Sequence, residues 1–179
     1  VACALENRVV NLDSLYYCEQ GLWRYGGRNL RDTRAYAEMT VAQIIQKSSN
    51  IGTAKIALDM GEAMLYKGLA SFGFGKATGL GFYPADEPHR SFANESPGLF
   101  RSLKGWDTLT VTRMPIGQGI SATPWQTLQA WSSLANGGVM MQPYIVDRVI
   151  YPDGRVVRSV PKVKAAPLSR ESASLITEA

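Results

Sequence analysis

The sequence predicts an α+β fold, mainly helical, with a peripheral β-hairpin. Three observations predict it. Two capping boxes each open an apolar-striped helix, two β-branched runs are joined by a turn, and glycines stand where the helical patterns stop. The 179 residues are 45% hydrophobic and 19% charged, enough for one globular core, so a single domain over 1–179 is expected.

Taken in order, the first stretch alternates aromatic and basic residues: Tyr16, Tyr17, Trp23, Arg24, Tyr25, Arg28, Arg31, Arg34 and Tyr36. Gly21, Gly26 and Gly27 divide it, so it reads as an ordered loop or short hairpin. Thr40 and Gln43 then form a capping box before the apolar stripe of Val41, Ile44 and Ile45. Ser48, Ser49 and Asn50 interrupt that pattern. A second helix carries Ile51, Ala54, Ile56, Ala57 and Leu58 and ends at Gly61, and a third runs from about Glu62 to Phe72 and stops at Gly73. From Gly73 to Gly105 the chain is rich in glycine and proline and reads as a long surface excursion. Thr123 caps the next helix, Pro124 takes its first position, and Gln126 completes the second capping box. Leu128, Trp131, Leu134 and Ala135 are its expected buried face, and Asn136-Gly137-Gly138 its stop. Tyr144–Tyr151 and Arg155–Val160, joined by Pro152-Asp153-Gly154, predict a hairpin. Pro161–Pro167 reads as a linker, and Ser169 as the cap of a last helix.

Bulk properties exclude little beyond a membrane span: no apolar run approaches the roughly 18 residues one needs. A net charge of +4 can attract acidic ligands, nucleic acid or anionic lipid and does not choose among them. Cys3 and Cys18 match no zinc spacing. They read as free thiols, with a bridge possible in an oxidising compartment. His89, the only histidine, reads as an exposed loop residue. The N-terminus has no initiator Met and no signal-peptide layout, so the chain reads as trimmed from something longer.

The residues best placed for chemistry are Lys47-Ser48-Ser49-Asn50. They lie where one helix ends and another begins, so their side chains leave a corner. Asn50 in the N-cap position would also aim the second helix's free N–H groups at that spot. A hydroxyl beside a carboxamide supplies a proton-relay group and a bidentate handle for a peptide bond. An ordinary capped turn has the same composition.

The segment from Ser48-Ser49-Asn50 through Ala57 resembles the S-x-N motif of penicillin-binding transpeptidases, whose set is S-x-x-K, S-x-N and K-T-G. Further stretches resemble the same family in the same order. These are Ala4 to Val10, Phe72-Gly73-Phe74-Gly75-Lys76-Ala77-Thr78-Gly79, Gly117 to Pro124 with Leu134 to Gly138, and Pro143 to Gly154. Phe82 to Asp107 is the least familiar part. The ordered set resembles the monofunctional (class B) branch. It implies the helical part of a transpeptidase domain lying between the S-x-x-K serine and K-T-G.

By that resemblance, Ser48 would help shuttle a proton near the nucleophile. Asn50 would hold the backbone of the incoming stem peptide or the side-chain amide of a β-lactam. Lys47 and Ser49 receive no role beyond solvated or capping residues. One formal S-x-x-K exists, Ser159-Val160-Pro161-Lys162, but it lies downstream of S-x-N and Pro161 forbids the helix it needs. Lys76-Ala77-Thr78-Gly79 has one residue too many for K-T-G. This chain alone is therefore expected to be inactive.

The resemblance implies peptidoglycan stem peptides, β-lactams and other cell-wall synthesis proteins as partners of the intact protein. It implies no metal, cofactor or nucleic acid, a location on the outer face of the cytoplasmic membrane, and an anchor outside this chain. Two rival readings are a non-catalytic penicillin-sensing relative and a basic nucleic-acid module built on the Arg and aromatic stretch. Gly117-Gln118-Gly119-Ile120-Ser121-Ala122 fits a dinucleotide pattern formally, but Pro115 precedes it and the helix opens only at Pro124, so it reads as a tight loop.

Overall fold

The computed structural model describes residues 1–179. Its elements are α1 (Ala2–Glu6), β1 (Leu15–Tyr17), β2 (Leu22–Tyr25), β3 (Arg28–Arg31), β4 (Glu38–Thr40), α2 (Val41–Lys47), α3 (Asn50–Ser71), β5 (Gly81–Phe82), β6 (Arg90–Ser91), α4 (Thr110–Arg113), α5 (Pro124–Ala135), β7 (Met140–Met141), β8 (Arg148–Ile150), β9 (Val156–Arg158), β10 (Val163–Ala165) and α6 (Arg170–Glu178). The fold is α+β. The strands pair only in twos, so no sheet is large enough to form a layer and the helices carry the core.

The β2–β3 hairpin turns on Gly26 and Gly27, both at positive φ (54° and 74°), the two-residue geometry that matches strand twist. Leu30 is buried and Trp23 packs against the core, while Arg24 and Arg31 face outward. Trp23 also stacks near Tyr25 and beneath the Lys55 ammonium. The aromatic residues of this stretch anchor the hairpin.

Both capping boxes form. Thr40 accepts from the Gln43 amide and Thr123 from the Gln126 amide, each reciprocated by the glutamine side chain. The main core gathers Val41 and Ile44 of α2 with Ile51, Ile56 and Met60 of α3, under Leu5 of α1. Gly61 (φ +73°) interrupts α3 where the sequence pattern stops, and the helical run resumes to Ser71. The two glycine-linked hairpin runs pair as β8–β9, with Val149 opposite Val157. Ser169 caps α6, and the Glu6 carboxylate accepts from both its amide and its hydroxyl at 2.8 Å, tying α1 to α6.

Three expectations are corrected. First, α5 does not bury Leu128, Trp131 and Ala135: Leu128 is 55% and Trp131 67% exposed, Ala135 is exposed, and Leu134 is only half-buried. It buries Gln126, Gln129 and Ser133 instead. The backbone packed on this face, loops at residues 76 and 97 and the short strand β7, presents carbonyls to it. Gln126 Nε2 donates to Lys76 O and Pro97 O, and Gln129 Nε2 to Met141 O. Buried carbonyls need donors more than they need leucines. Second, residues 161–167 are not a plain linker, because β10 lies in them and pairs with β7.

Third, the 73–105 excursion is partly internal. Thr78, Leu80, Phe82 and Tyr83 are buried. The Glu95 carboxylate gathers the turn by accepting from the Thr78 amide (2.8 Å), the Thr78 hydroxyl (2.5 Å), the Gly79 amide (2.8 Å) and the Leu80 amide (3.3 Å). Partial burial opposes ionisation of Glu95, but these hydrogen bonds outweigh it and hold its carboxyl below the ordinary range. A depressed folded pKa adds stability above the unfolded value of 4.5, and that stability is lost as pH falls through the folded value. Glu95→Gln is therefore expected to cost about 1–3 kcal/mol at neutral pH. Between about pH 5 and about pH 3 its melting temperature should fall less than the wild type's. Parallel curves across that window would remove Glu95 as the clamp.

Cys3 and Cys18 are free thiols set against different neighbours, Cys3 beside Gly68 and Cys18 beside Ser49. Burial pushes both thiols up, so neither is an activated nucleophile. His89 is exposed. No helix is long and apolar enough to cross a membrane.

Candidate functional site

Residues 47–52 form a rigid corner between α2 and α3. At the end of α2 the Ser48 amide donates to Ile45 O and the Ser49 amide to Ile44 O, the pair of bonds that closes a helix through a left-handed residue. Glycine is the usual occupant of that position. Here it is Ser48, at φ 54° and ψ 48°, with its side chain exposed. A left-handed non-glycine residue costs about 1–2 kcal/mol, so the neighbours must hold it.

Ser49 holds it from the C-terminal side. It is extended, 1% exposed and the N-cap of α3, its Oγ accepting from the Gly52 amide at 2.9 Å. This corrects the expectation that Asn50 is the cap. A one-carbon hydroxyl side chain on an extended residue reaches the amide three residues on, and Asn50 is already inside the helix. Asn50 is half-exposed, and its Nδ2 donates to Arg31 O at 2.9 Å. The carboxamide thus keeps its Oδ1 and second N–H for another partner. Gly52 lets the helices meet, since a Cβ there would lie 2.6 Å from Ile44 Cδ1.

The floor beneath the corner comes from the end of β3, which sequence reasoning does not single out. Asp32 accepts from the Ser49 hydroxyl at Oδ2 (2.7 Å) and from the Ile51 amide at Oδ1 (3.0 Å). Cys18 Sγ packs behind Ser49 Oγ at 3.5 Å. An Asp between the end of a strand and Thr33-Arg34 carries no local signal; only the docking of β3 on α3 reveals it.

Ser48 and Asn50 therefore sit side by side on the surface, one hydroxyl and one carboxamide on a fixed frame. A concavity of about 460 Å3 lies elsewhere, between α1 and α6, lined by Leu5, Glu6, Arg8 and Leu175 among others. The two formal decoys are disposed of by geometry. Ser159 is buried in extended backbone, its Oγ donating to Val146 O and accepting from the Tyr83 amide. Thr78 is buried on the Glu95 carboxylate. Gly117 follows a short 3-10 turn with no strand before it, so the glycine-rich segment there is a loop.

Residues 1–179 match the family model of the penicillin binding protein transpeptidase domain over their whole length. The chain belongs to that family. Among relatives of this transpeptidase chain, penicillin-binding protein PbpB of Mycolicibacterium smegmatis is 33% identical over 87% of this chain and 22% of its own length. Peptidoglycan D,D-transpeptidase FtsI of Escherichia coli is 28% identical over 77% of this chain and 23% of its own. The transpeptidase fold is that of solved structures too. Penicillin binding protein 3 of Mycobacterium tuberculosis, crystallised with aztreonam, superposes with a TM-score of 0.84 at 28% identity, covering 98% of this chain and 37% of that one. The transpeptidase chain thus spans about a fifth to a quarter of the curated relatives it matches.

Proposed function

We propose that this chain is the S-x-N portion of a peptidoglycan D,D-transpeptidase, with Ser48 and Asn50 as its two active-site contributions. The observation that carries the reading is the exposed left-handed Ser48 beside Asn50, on a corner that Asp32, Arg31 O and Ser49 hold in place. Ser48 fills the left-handed helix-closing position that glycine usually takes, and functional sites are among the places where such conformations concentrate. The printed names of relatives support the substrate class. One is a peptidoglycan D,D-transpeptidase, and another carries aztreonam, a β-lactam, in its crystal.

In the reaction, a serine oxygen bonds to the carbonyl carbon of the penultimate D-Ala of a stem peptide. The bond to the terminal D-Ala nitrogen breaks, and that amine leaves with the proton. An acceptor amine then bonds to the same carbonyl carbon, the ester bond to the serine oxygen breaks, and the proton lost by the amine returns to that oxygen. Asn50 Oδ1 and its free N–H pair with an amide of the acyl donor, and Ser48 passes the proton between the nucleophile and its surroundings. A β-lactam stops the sequence after the first bond forms. The nucleophile is not among these residues: the S-x-x-K pattern at Ser159 is locked in backbone hydrogen bonds.

The 179 residues are, in this proposal, one part of a larger transpeptidase domain, with the exposed apolar face of α5 covered by the rest of it. Other cell-wall synthesis proteins are its partners, the cell envelope is its location, and the membrane anchor lies outside this chain. The test is labelling with a fluorescent penicillin. The full-length protein is expected to retain the label after denaturation, and the 179-residue chain is not. A label on the short chain would refute the assignment of the nucleophile elsewhere. A full-length protein that binds the drug without a covalent label would be a sensor and would overturn the transpeptidase reading.

A further inference from the structure

We propose that Asp32, acting through Ser49, is a positioning residue for the reaction assigned to Ser48 and Asn50; the proposal rests on that assignment. Asp32 follows β3 directly and touches the corner from below. Its Oδ2 accepts from Ser49 Oγ at 2.7 Å and its Oδ1 from the Ile51 amide at 3.0 Å, while Ser49 Oγ accepts from the Gly52 amide. One residue earlier, Arg31 O accepts from Asn50 Nδ2. Residues 31 and 32 therefore grip residues 49, 50 and 51 with one hydrogen bond each.

This grip does what the local sequence cannot. Ser48 prefers to leave the left-handed region, and it can do so only if Ser49 or the first turn of α3 moves. Ser49 cannot move: its hydroxyl is both donor and acceptor, it is 1% exposed, and Cys18, itself fully buried, closes the space behind it. The carboxylate suits the place for two reasons. Both its oxygens meet donors, and a negative group is favoured at a helix N-terminus. An asparagine would turn an NH2 toward one of those donors, and an alanine would orphan both. Asp32 never reaches the ligand; it fixes where two groups that do reach it point.

The experiment measures the second-order rate of acylation by a fluorescent penicillin in the full-length protein, with the folded fraction of each variant checked by circular dichroism. Asp32→Asn is expected to acylate about tenfold to a hundredfold more slowly than wild type at equal folded fraction. The deciding readout is a double-mutant cycle. In a Ser48→Ala/Asn50→Ala background, adding Asp32→Asn should cost no more than about threefold, because both side chains that Asp32 positions are already gone. A purely structural role gives the same fold-loss in both backgrounds. That result, or an Asp32→Asn variant that acylates at the wild-type rate, overturns the proposal. If Asp32→Asn does not fold, Ser49→Ala opens the same latch from the other side and is read by the same cycle. A wild-type protein that takes no label at all would instead remove the transpeptidase reading and is distinguishable from failure of Asp32.

Discussion

Asn50→Ala in the full-length protein is expected to lower the second-order rate of β-lactam acylation by about a hundredfold to a thousandfold. The physical reason is the way the carboxamide is committed. One N–H is spent on Arg31 O, which restrains the plane of the amide, and Oδ1 with the other N–H has no hydrogen-bond partner within the chain. A ligand amide meeting that pair makes two hydrogen bonds with no reorganisation. A preorganised donor of this kind is worth about 2.7–4 kcal/mol in a transition state, which is that range of rate. Asn50→Asp is the sharper control. It keeps size and one acceptor but puts a carboxylate against Arg31 O, so it is expected to do no better than alanine. Stopped-flow or gel-based labelling gives the rate, and a loss smaller than about threefold for Asn50→Ala would detach the residue from the chemistry.

Ile51→Ala is expected to be the most damaging core change near the site, costing about 3–5 kcal/mol. Ile51 is fully buried one residue past Asn50, in the same cluster as Ile44 and Ile56. Truncation removes about three buried carbon groups, at about 0.8 kcal/mol each, and adds the cost of the cavity. The cavity cannot collapse easily. Gly52 already brings α3 against Ile44, and the Ile51 amide is held by Asp32. In the full-length protein this should lower the melting temperature of the transpeptidase domain by about 6–20 °C by calorimetry. Acylation measured well below that temperature should fall as well, because the first turn of α3 carries Asn50. A shift under about 2 °C would mean that the helix start is not packed as described.

Local rules suffice for several elements. The capping boxes at Thr40 and Thr123 are four-residue devices whose bonds close within the helix they start, so they read directly from the chain. The same holds for the stop at Gly61, the Ser169 cap and the hairpin between β8 and β9. The face of α5 misleads for the complementary reason. Its apolar stripe is real, but the face that is buried is chosen by what packs against it, loop and short-strand carbonyls that accept from the amides of Gln126 and Gln129. Thr78 likewise looks like part of an open glycine turn until Glu95, far along the chain, closes on it.

The sequence by itself determined that Ser48 and Asn50 stand at a break between two helices, because helix termination and capping are settled by residues within one turn of each other. Their resemblance to an S-x-N motif is legible for the same reason: the motif is contiguous. Only the tertiary structure decided that Ser49, and not Asn50, caps α3, that Ser48 is held left-handed, and that Asp32 and Arg31 bear on the corner. Those outcomes depend on groups 17 to 19 residues apart meeting when β3 docks on α3. A hydrogen bond across that separation leaves no periodicity in the chain; it exists only once the core has brought the two ends together.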